Sequence, residues 1–224
     1  MLQLTNNGLA LNEDLDRLRD QFASQHYIVL KNLIETVLLT RIQRHIERAQ
    51  WFSSSFEDGF SGTEFTLHDP TTCNVLALLL NNPQFLSVIS TITDCEEISE
   101  FSGRVYRMVV GLEHHLSWHN DVDMEEKRQI GFSLNLSTDG FRGSTFELRK
   151  RSTSKLLARV NNTGFGDALL FRISPNLQHR VTQVMGTIPK TACAGWFRAT
   201  GKSYVAQLAG QLTRKRQLSG DIWA

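Results

Sequence analysis

The sequence predicts an α+β fold in which helices come first and an antiparallel β-sandwich or barrel follows. Two observations lead to this prediction. Apolar residues recur at helical spacing in much of residues 1–96, whereas from residue 97 onward short β-rich runs alternate with clusters of Gly, Asn, Ser or Pro. Since no linker divides the chain, we expect one domain with a helical flank at 1–96, a β core at 97–200 and a C-terminal extension at 201–224.

The first 96 residues contain four helical patterns and one strand pattern. The helices are predicted at 12–25, 35–49, 72–80 and 83–93, and the strand at 26–30. Asn12 is the expected N-cap of the first helix. The stretch from 53 to 70 follows no period and is long for a connection, which indicates a functional loop or lid carrying Phe56, Phe60 and Phe65.

The β half is a series of short strand patterns with the cadence of a sandwich or barrel. They are predicted at 105–111, 127–136, 144–150, 155–160, 167–172, 180–184 and 191–200.

Composition excludes several classes of protein. With 41% apolar and 21% charged residues among 224, the chain is typical of a globular protein. A net charge of +1, from 24 Lys and Arg against 23 Asp and Glu, gives no reason to expect a nucleic acid as partner. No apolar run is long enough for a membrane span. The three cysteines are far apart and form no CxxC pair, so we expect reduced thiols and a cytoplasmic location.

A His-X-Asp motif lies in the β half, where His119 and Asp121 are two residues apart. In an extended segment both side chains point to the same side, so an imidazole and a carboxylate converge. The pair alone is a weak signal, because such pairs arise by chance. His179 strengthens it, since about sixty residues are enough for a β-sandwich to return a strand beside an earlier one.

Two histidines and one carboxylate form a ligand set that holds non-haem Fe(II) and leaves three positions open. Those positions suit a bidentate co-substrate and O2 together. Zn²⁺ can take the same ligands, but it has no redox chemistry to offer and prefers a closed tetrahedral site. The pattern therefore predicts an iron site for oxygen chemistry, with His119, Asp121 and His179 as the metal-binding and catalytic residues.

Lys190 is the candidate anchor for an anionic co-substrate, eleven residues after His179 and at the start of a predicted strand. There its ammonium can pair with the distal carboxylate of a dicarboxylic keto acid that chelates the iron. By period-two alternation Ala192 and Ala194 share its face and leave room for a ligand. Arg198 lies on the same face and is the rival anchor.

Several short motifs follow one another along the chain between residues 97 and 200. They are Tyr106-Arg107-Met108-Val109-Val110-Gly111, Trp118-His119-Asn120-Asp121, Arg128 with an apolar strand to Asn135, Gly143 before Phe146-Glu147-Leu148, Gly166-Asp167-Ala168-Leu169-Leu170-Phe171, His179-Arg180-Val181, and Lys190 with Gly195-Trp196-Phe197. With these motifs the chain resembles the Fe(II)/2-oxoglutarate-dependent dioxygenase superfamily, specifically its prolyl 4-hydroxylase-like branch.

The resemblance implies a double-stranded β-helix, or jelly-roll, with His119, Asp121 and His179 as iron ligands and Lys190 as the 2-oxoglutarate anchor. It also implies the use of O2 and the hydroxylation of an unactivated C–H bond, with release of succinate and CO2. The substrate is expected to be a peptide, an amino acid or a small metabolite, and the pattern does not select among them. It leaves the oligomeric state open as well.

The chain departs from that branch at two places. Many members place a tyrosine that touches the co-substrate about ten residues before the first ligand, and this chain has Val109 there. The usual pair of glycines before a later strand is Gly143-Ser144. Asn135 and Tyr106 are therefore the candidates for further co-substrate contacts.

Two other functions remain open from the sequence. One is a cupin-like metal dioxygenase that does not use 2-oxoglutarate, in which Lys190 is incidental. The other is a jelly-roll binding module without catalytic activity, which would have no need to bury three ligands and a cation together.

Overall fold

The computed structural model describes residues 1–55, 63–95, 97–112, 115–161 and 163–199, and these ranges contain four helices and fifteen strands. The helices are α1 (Leu15–Gln25), α2 (Thr36–Arg48), α3 (Pro70–Leu80) and α4 (Pro83–Thr93). The strands are β1 (Leu2–Thr5), β2 (Gly8–Leu11), β3 (Tyr27–Leu30), β4 (Gln50–Ser55), β5 (Thr63–His68), β6 (Glu100–Met108), β7 (Leu116–His119), β8 (Arg128–Asn135), β9 (Arg142–Gly143), β10 (Phe146–Lys150), β11 (Leu156–Val160), β12 (Ala168–Arg172), β13 (Leu177–Val181), β14 (Val184–Met185) and β15 (Lys190–Arg198).

The four predicted helices are all present, and their caps explain where they begin. Asn12 is not the N-cap of α1, as predicted, because the Asp14 side chain accepts the backbone N–H of Arg17 and starts the helix two residues later. In α3, Asp69 accepts the N–H of Thr72, so that helix begins at Pro70, just before the predicted start.

A seven-stranded antiparallel sheet forms one wall of the core, in the order β3-β12-β8-β15-β6-β5-β4. The helices pack on one face of it. Phe85 of α4 meets Phe197 of β15 with ring centroids 6.0 Å apart, and Phe101 and Phe132 complete an aromatic cluster there. Residues of β15 alternate between this face and the opposite one, which places Lys190, an even-numbered neighbour of Ala192, away from the helices.

A four-stranded antiparallel sheet, in the order β11-β10-β13-β7, packs against the other face of the large sheet. Its apolar side chains form a second buried cluster with those of β12, namely Phe146, Leu148, Ala158, Leu169, Phe171 and Leu177. The two sheets form the jelly-roll core, and the predicted α+β class is confirmed.

Where the segment from 53 to 70 is described, at 53–55 and 63–70, much of it is strand rather than the irregular loop that its sequence predicts. Residues of β4 and β5 pair as a hairpin, and β5 also pairs with β6 through Phe65 and Thr66. The serine-rich β4 has little strand preference of its own, so its conformation depends on its pairing with β5, which is in turn held by β6. Phe56 and Phe60, which were expected in a lid, lie outside the described residues. A second unpredicted hairpin, β1 with β2, is at the N-terminus.

Within the described ranges, no single helix is long and apolar enough to cross a membrane. Helices α3 and α4 would be long and apolar enough only if taken together, and they are bent by 57° at their junction.

Candidate metal centre

Two adjacent strands of the small sheet bring the predicted ligands together. His119 on β7 and His179 on β13 are register partners, and Asp121 follows just after the end of β7. His119 Nε2 lies 3.4 Å from Asp121 Oδ1, and His179 Nε2 lies 3.4 Å from Asp121 Oδ2. One ligand atom from each of the three residues lies within 4.8 Å of the other two, so the group could hold a metal ion.

Neighbouring groups fix both imidazole rings. His119 Nδ1 lies 2.6 Å from the carbonyl oxygen of Ser117, which can only accept, so the proton is on Nδ1 and the lone pair of Nε2 is available to a metal. His179 is 6% exposed and packs between Phe146 and Phe171, whose ring centroids lie 5.8 and 4.5 Å from its own. Both Nε2 atoms therefore face the carboxylate.

The electrostatics favour an ionised carboxylate between two imidazoles. Burial opposes ionisation of Asp121, but its contacts with the His119 and His179 imidazoles and with the Trp196 indole N–H outweigh burial and hold the pKa of Asp121 far below its usual value. Burial lowers the pKa of His179. Burial also acts to lower the pKa of His119, but contacts with Asp121 and the Ser117 carbonyl reverse the shift and raise it. A negative charge flanked by lone pairs is what a cation requires.

A cavity of about 260 Å³ opens at these residues, between the two sheets. Its lining contains the apolar side chains Met108, Leu116, Phe132, Phe146, Leu169, Phe171, Val181 and Ala194. It also contains Lys190, Tyr106, Ser133, Arg128 and Trp196. Most of the wall is apolar, so water has few partners inside it.

Lys190 lines the cavity and is the partner of Met108 in the strand pairing of β15 with β6. Its residue is 9% exposed, and its Nζ lies 5.7 Å from the centroid of the Phe141 ring. Burial lowers the pKa of Lys190 to about 8. The ammonium is therefore placed in an apolar setting where an anion would be strongly attracted.

The other three candidate contacts have different surroundings. Tyr106 lines the cavity, and burial raises its pKa. The Asn135 side chain binds backbone instead: its amide donates to the carbonyls of Thr163 and Gly164, and its oxygen accepts the N–H of Ser137.

Arg198 is directed toward two carboxylates. Its Nη1 lies 3.7 Å from Glu100 and 3.6 Å from Glu126. Within the described part of the chain, neither Arg198 nor Asn135 is among the residues that line this cavity.

Sequence reasoning missed one charged pair in the cavity wall. Arg104 Nη2 donates to Glu64 at 3.0 Å, and Glu64 is 2% exposed. Alternation along β6 places Arg104 on the same face as Tyr106, which is a usable signal. Glu64 had none, because its strand was not recognised.

Comparison with known proteins agrees with the family resemblance that the sequence motifs indicated. Residues 103–198 match the family described as the 2OG-Fe(II) oxygenase superfamily. Among curated proteins, none matches the sequence.

Solved structures resemble the fold closely. An oxidoreductase of the 2OG-Fe(II) oxygenase family from Burkholderia pseudomallei gives a TM-score of 0.64 at 13% identity, over 91% of this chain and 98% of its own. A prolyl-4-hydroxylase from Pseudomonas putida gives 0.61 at 13% identity, over 84% and 100%. A prolyl hydroxylase from Trichoplax adhaerens, in complex with a peptide fragment of the hypoxia inducible factor oxygen degradation domain, gives 0.61 at 14%, over 82% and 88%. At such identities the likeness concerns the fold, and the predicted resemblance is confirmed.

Proposed function

We propose that the chain, in which residues 103–198 match the 2OG-Fe(II) oxygenase superfamily, hydroxylates a C–H bond of a peptide, an amino acid or a small metabolite. It uses Fe(II), 2-oxoglutarate and O2, and it releases succinate and CO2. The observation that carries this proposal is the meeting of two imidazoles and one carboxylate in a largely apolar cavity that also contains a lysine ammonium.

The donor atoms fit Fe(II). Two imidazole nitrogens and one carboxylate oxygen suit a borderline divalent transition metal, and three protein ligands leave positions for other molecules. His119 and His179 would bind through Nε2, and Asp121 through its carboxylate. The bound iron supplies the redox chemistry that activates O2. The protein contributes the positions of the ligands and the apolar wall that keeps water away from them.

Lys190 is the proposed partner of the distal carboxylate of 2-oxoglutarate. It lies inside the same cavity as the two histidines, and an ammonium in a site of low polarity attracts a carboxylate more strongly than one in water. Of the two alanines on its face of β15, Ala194 lines the cavity, whereas Ala192 is fully buried in an apolar cluster with Met108 and Phe141. Tyr106 lines the same wall and is a second proposed contact. Asn135 and Arg198 keep the partners described above and are not part of this proposal.

A peptide or small-molecule substrate is proposed for the part of the cavity near Arg104, Arg128 and Trp196. Arg104, Arg128 and Trp196 all line the cavity, and the Arg128 guanidinium carbon lies 3.8 Å from the centroid of the Trp196 ring. A few polar groups set in an apolar cavity are the usual means of orienting a small ligand. A related fold holds a peptide in the Trichoplax adhaerens structure, which supports the peptide alternative.

The proposal is tested by adding Fe(II) and 2-oxoglutarate to the protein without oxygen and recording the visible spectrum. A charge-transfer band, followed by succinate release when air is admitted, is the expected result. Metal binding without the band or succinate would instead favour a dioxygenase that does not use 2-oxoglutarate. Failure to bind any divalent transition metal would favour a binding module without catalytic activity.

A further inference from the structure

Trp196 connects the two sheets at the metal centre. It lies on β15 of the large sheet, and its indole Nε1–H donates to Asp121 Oδ2 at 2.8 Å. Asp121 follows β7 of the small sheet. We propose that Trp196 is a positioning residue that holds the Asp121 carboxylate in place for the metal ion. This inference rests on the proposed function, because it concerns the same ion.

Asp121 needs such a partner because its own segment supplies little support. It lies beyond the end of β7, and residues 120–127 form neither helix nor strand. The two imidazoles reach its carboxylate only at 3.4 Å, at the outer limit of a hydrogen bond. Among the contacts that the described residues make with this carboxylate, the indole N–H at 2.8 Å is the shortest.

The hydrogen bond also selects how the carboxylate is presented. Because the N–H occupies a lone pair of Oδ2, the group is fixed in rotation and Oδ1 remains on the side of His119 Nε2. A carboxylate that is free to turn loses that freedom when it binds an ion, and one already fixed does not. Partners that orient metal ligands in this way typically change metal affinity by about 10- to 100-fold when they are removed.

Trp196 is itself held rigidly. Its strand lies in the interior of the large sheet, where Trp196 is paired with Ser102 on one side and Gly131 on the other. The Arg128 guanidinium carbon lies 3.8 Å from its ring centroid, close enough for a cation–π contact. The indole therefore has a fixed direction from which to donate.

The segment that carries Asp121 also fixes Arg128. Arg128 Nη2 lies 2.6 Å from Glu126 and 3.6 Å from Asp123, and both acids follow Asp121 closely. These contacts are linked in a ring. Asp123 and Glu126 bind the Arg128 guanidinium, the guanidinium packs on the Trp196 indole, and the indole N–H binds the Asp121 carboxylate. This ring of contacts holds the Asp121 carboxylate in position before a metal ion binds.

The test separates the N–H donor from the packing of the ring. In one variant, Trp196→Phe, the ring becomes smaller and the donor is lost. In a second, 3-benzothienylalanine is placed at 196, which replaces the indole N–H by sulfur in a ring of nearly the same shape. The control is Trp51→Phe, since Trp51 also lies under a guanidinium, that of Arg107 at 4.1 Å, but does not line the cavity.

Mn(II) binding is measured for each protein from the EPR signal of the free ion, without 2-oxoglutarate or O2. We expect Kd to rise about 10- to 100-fold in both variants at 196 and to stay within about twofold of the unmodified protein in the control. Succinate formation should recover in part when the metal concentration is raised.

Three results would count against the inference or its basis. Unchanged Mn(II) affinity in the benzothienyl protein would overturn it, since packing would then suffice, and that protein decides the matter even if Trp196→Phe fails to fold. An equal loss in the Trp51→Phe control would also overturn it. Absence of Mn(II) binding to the unmodified protein would instead contradict the metal site of the proposed function, and the inference with it.

Discussion

His119 and His179 are direct partners across the antiparallel β7–β13 pair, and their ring centroids lie 4.2 Å apart. Cross-strand partners project to the same side of a sheet, so this register alone brings the two Nε2 atoms to one point. A slip by one residue would turn one imidazole to the outer face. The pairing of these two strands therefore determines whether the three candidate ligands can bind one ion.

Replacing any of the three candidate metal ligands should abolish metal-dependent succinate formation. In His179→Ala, His119→Ala or Asp121→Ala the ion keeps only two protein ligands, so we expect Mn(II) affinity to fall by at least about 100-fold and succinate formation to disappear. Both are measured on the same preparations, by EPR and by a succinate assay. His45→Ala, on the exposed surface of α2, is the control. Normal turnover in Asp121→Ala would contradict the assigned ligand set.

The affinity for 2-oxoglutarate should decrease in alkaline solution. Burial lowers the pKa of Lys190 to about 8, so its ammonium is present below that pH and is lost above it. If the ammonium binds the distal carboxylate, Kd should rise by up to about tenfold per pH unit above pH 8. The measurement is a calorimetric titration of the Mn(II) protein without oxygen.

Lys190→Arg is the matched control for this pH dependence. A guanidinium stays charged throughout the range, so its Kd for 2-oxoglutarate should not rise between pH 8 and pH 10. If unmodified protein and Lys190→Arg gave the same flat profile, Lys190 would not be the anchor.

Lys190→Met should stabilise the protein when no co-substrate is bound. The unmodified fold buries a charge below pH 8, and we expect its removal to raise the free energy of unfolding at pH 7 by about 1–3 kcal/mol. Between the lowered pKa and the usual value of 10.5, the unfolded chain binds more protons than the folded one, so the stability of the unmodified protein rises with pH there.

The advantage of Lys190→Met should accordingly decrease from pH 8 toward pH 10. Urea unfolding at several pH values measures it. A variant less stable than the unmodified protein at pH 7 would show that the ammonium has a compensating partner in the fold.

Gly131→Ala should disturb the metal centre from behind. A Cβ at this position would overlap the ring of Phe171, and that ring packs on His179. We expect a loss of about 1–3 kcal/mol in stability, as for other overpacked cores, together with weaker Mn(II) binding. Thermal unfolding and EPR titration measure the two effects. A stability loss with unchanged metal affinity would mean that His179 keeps its place without Phe171.

The convergence of the candidate ligands could be predicted in part from the sequence, because alternation along a strand is a local property. His119 and Asp121 share a face by being two residues apart, and Lys190 shares one with Ala192 in the same way. The return of His179 to the side of His119 depends on which strands pair, and the spacing of about sixty residues showed only that such a return was possible. The alternation of β15 also places Trp196 on the face of Lys190, but a strand pattern does not reveal its hydrogen bond to Asp121.

Other features could not be predicted because tertiary pairing determines them. The hairpin of β4 and β5 takes its conformation from β6, and Glu64 enters the cavity wall only through that pairing. Asn135 was a candidate co-substrate contact, yet backbone groups from residues 163, 164 and 137 take up its amide. Such competition between partners is not visible in a strand pattern.

The small sheet ends at β7, which pairs with β13 and with no other strand of the described chain. An ion shared by His119, His179 and Asp121 would fasten this edge, so occupancy and folding become linked by mass action. Above Kd, each tenfold increase in free ion adds about 1.4 kcal/mol to stability. A chelator such as EDTA would therefore lower the stability of the fold, and the melting temperature would report how much metal ion is bound.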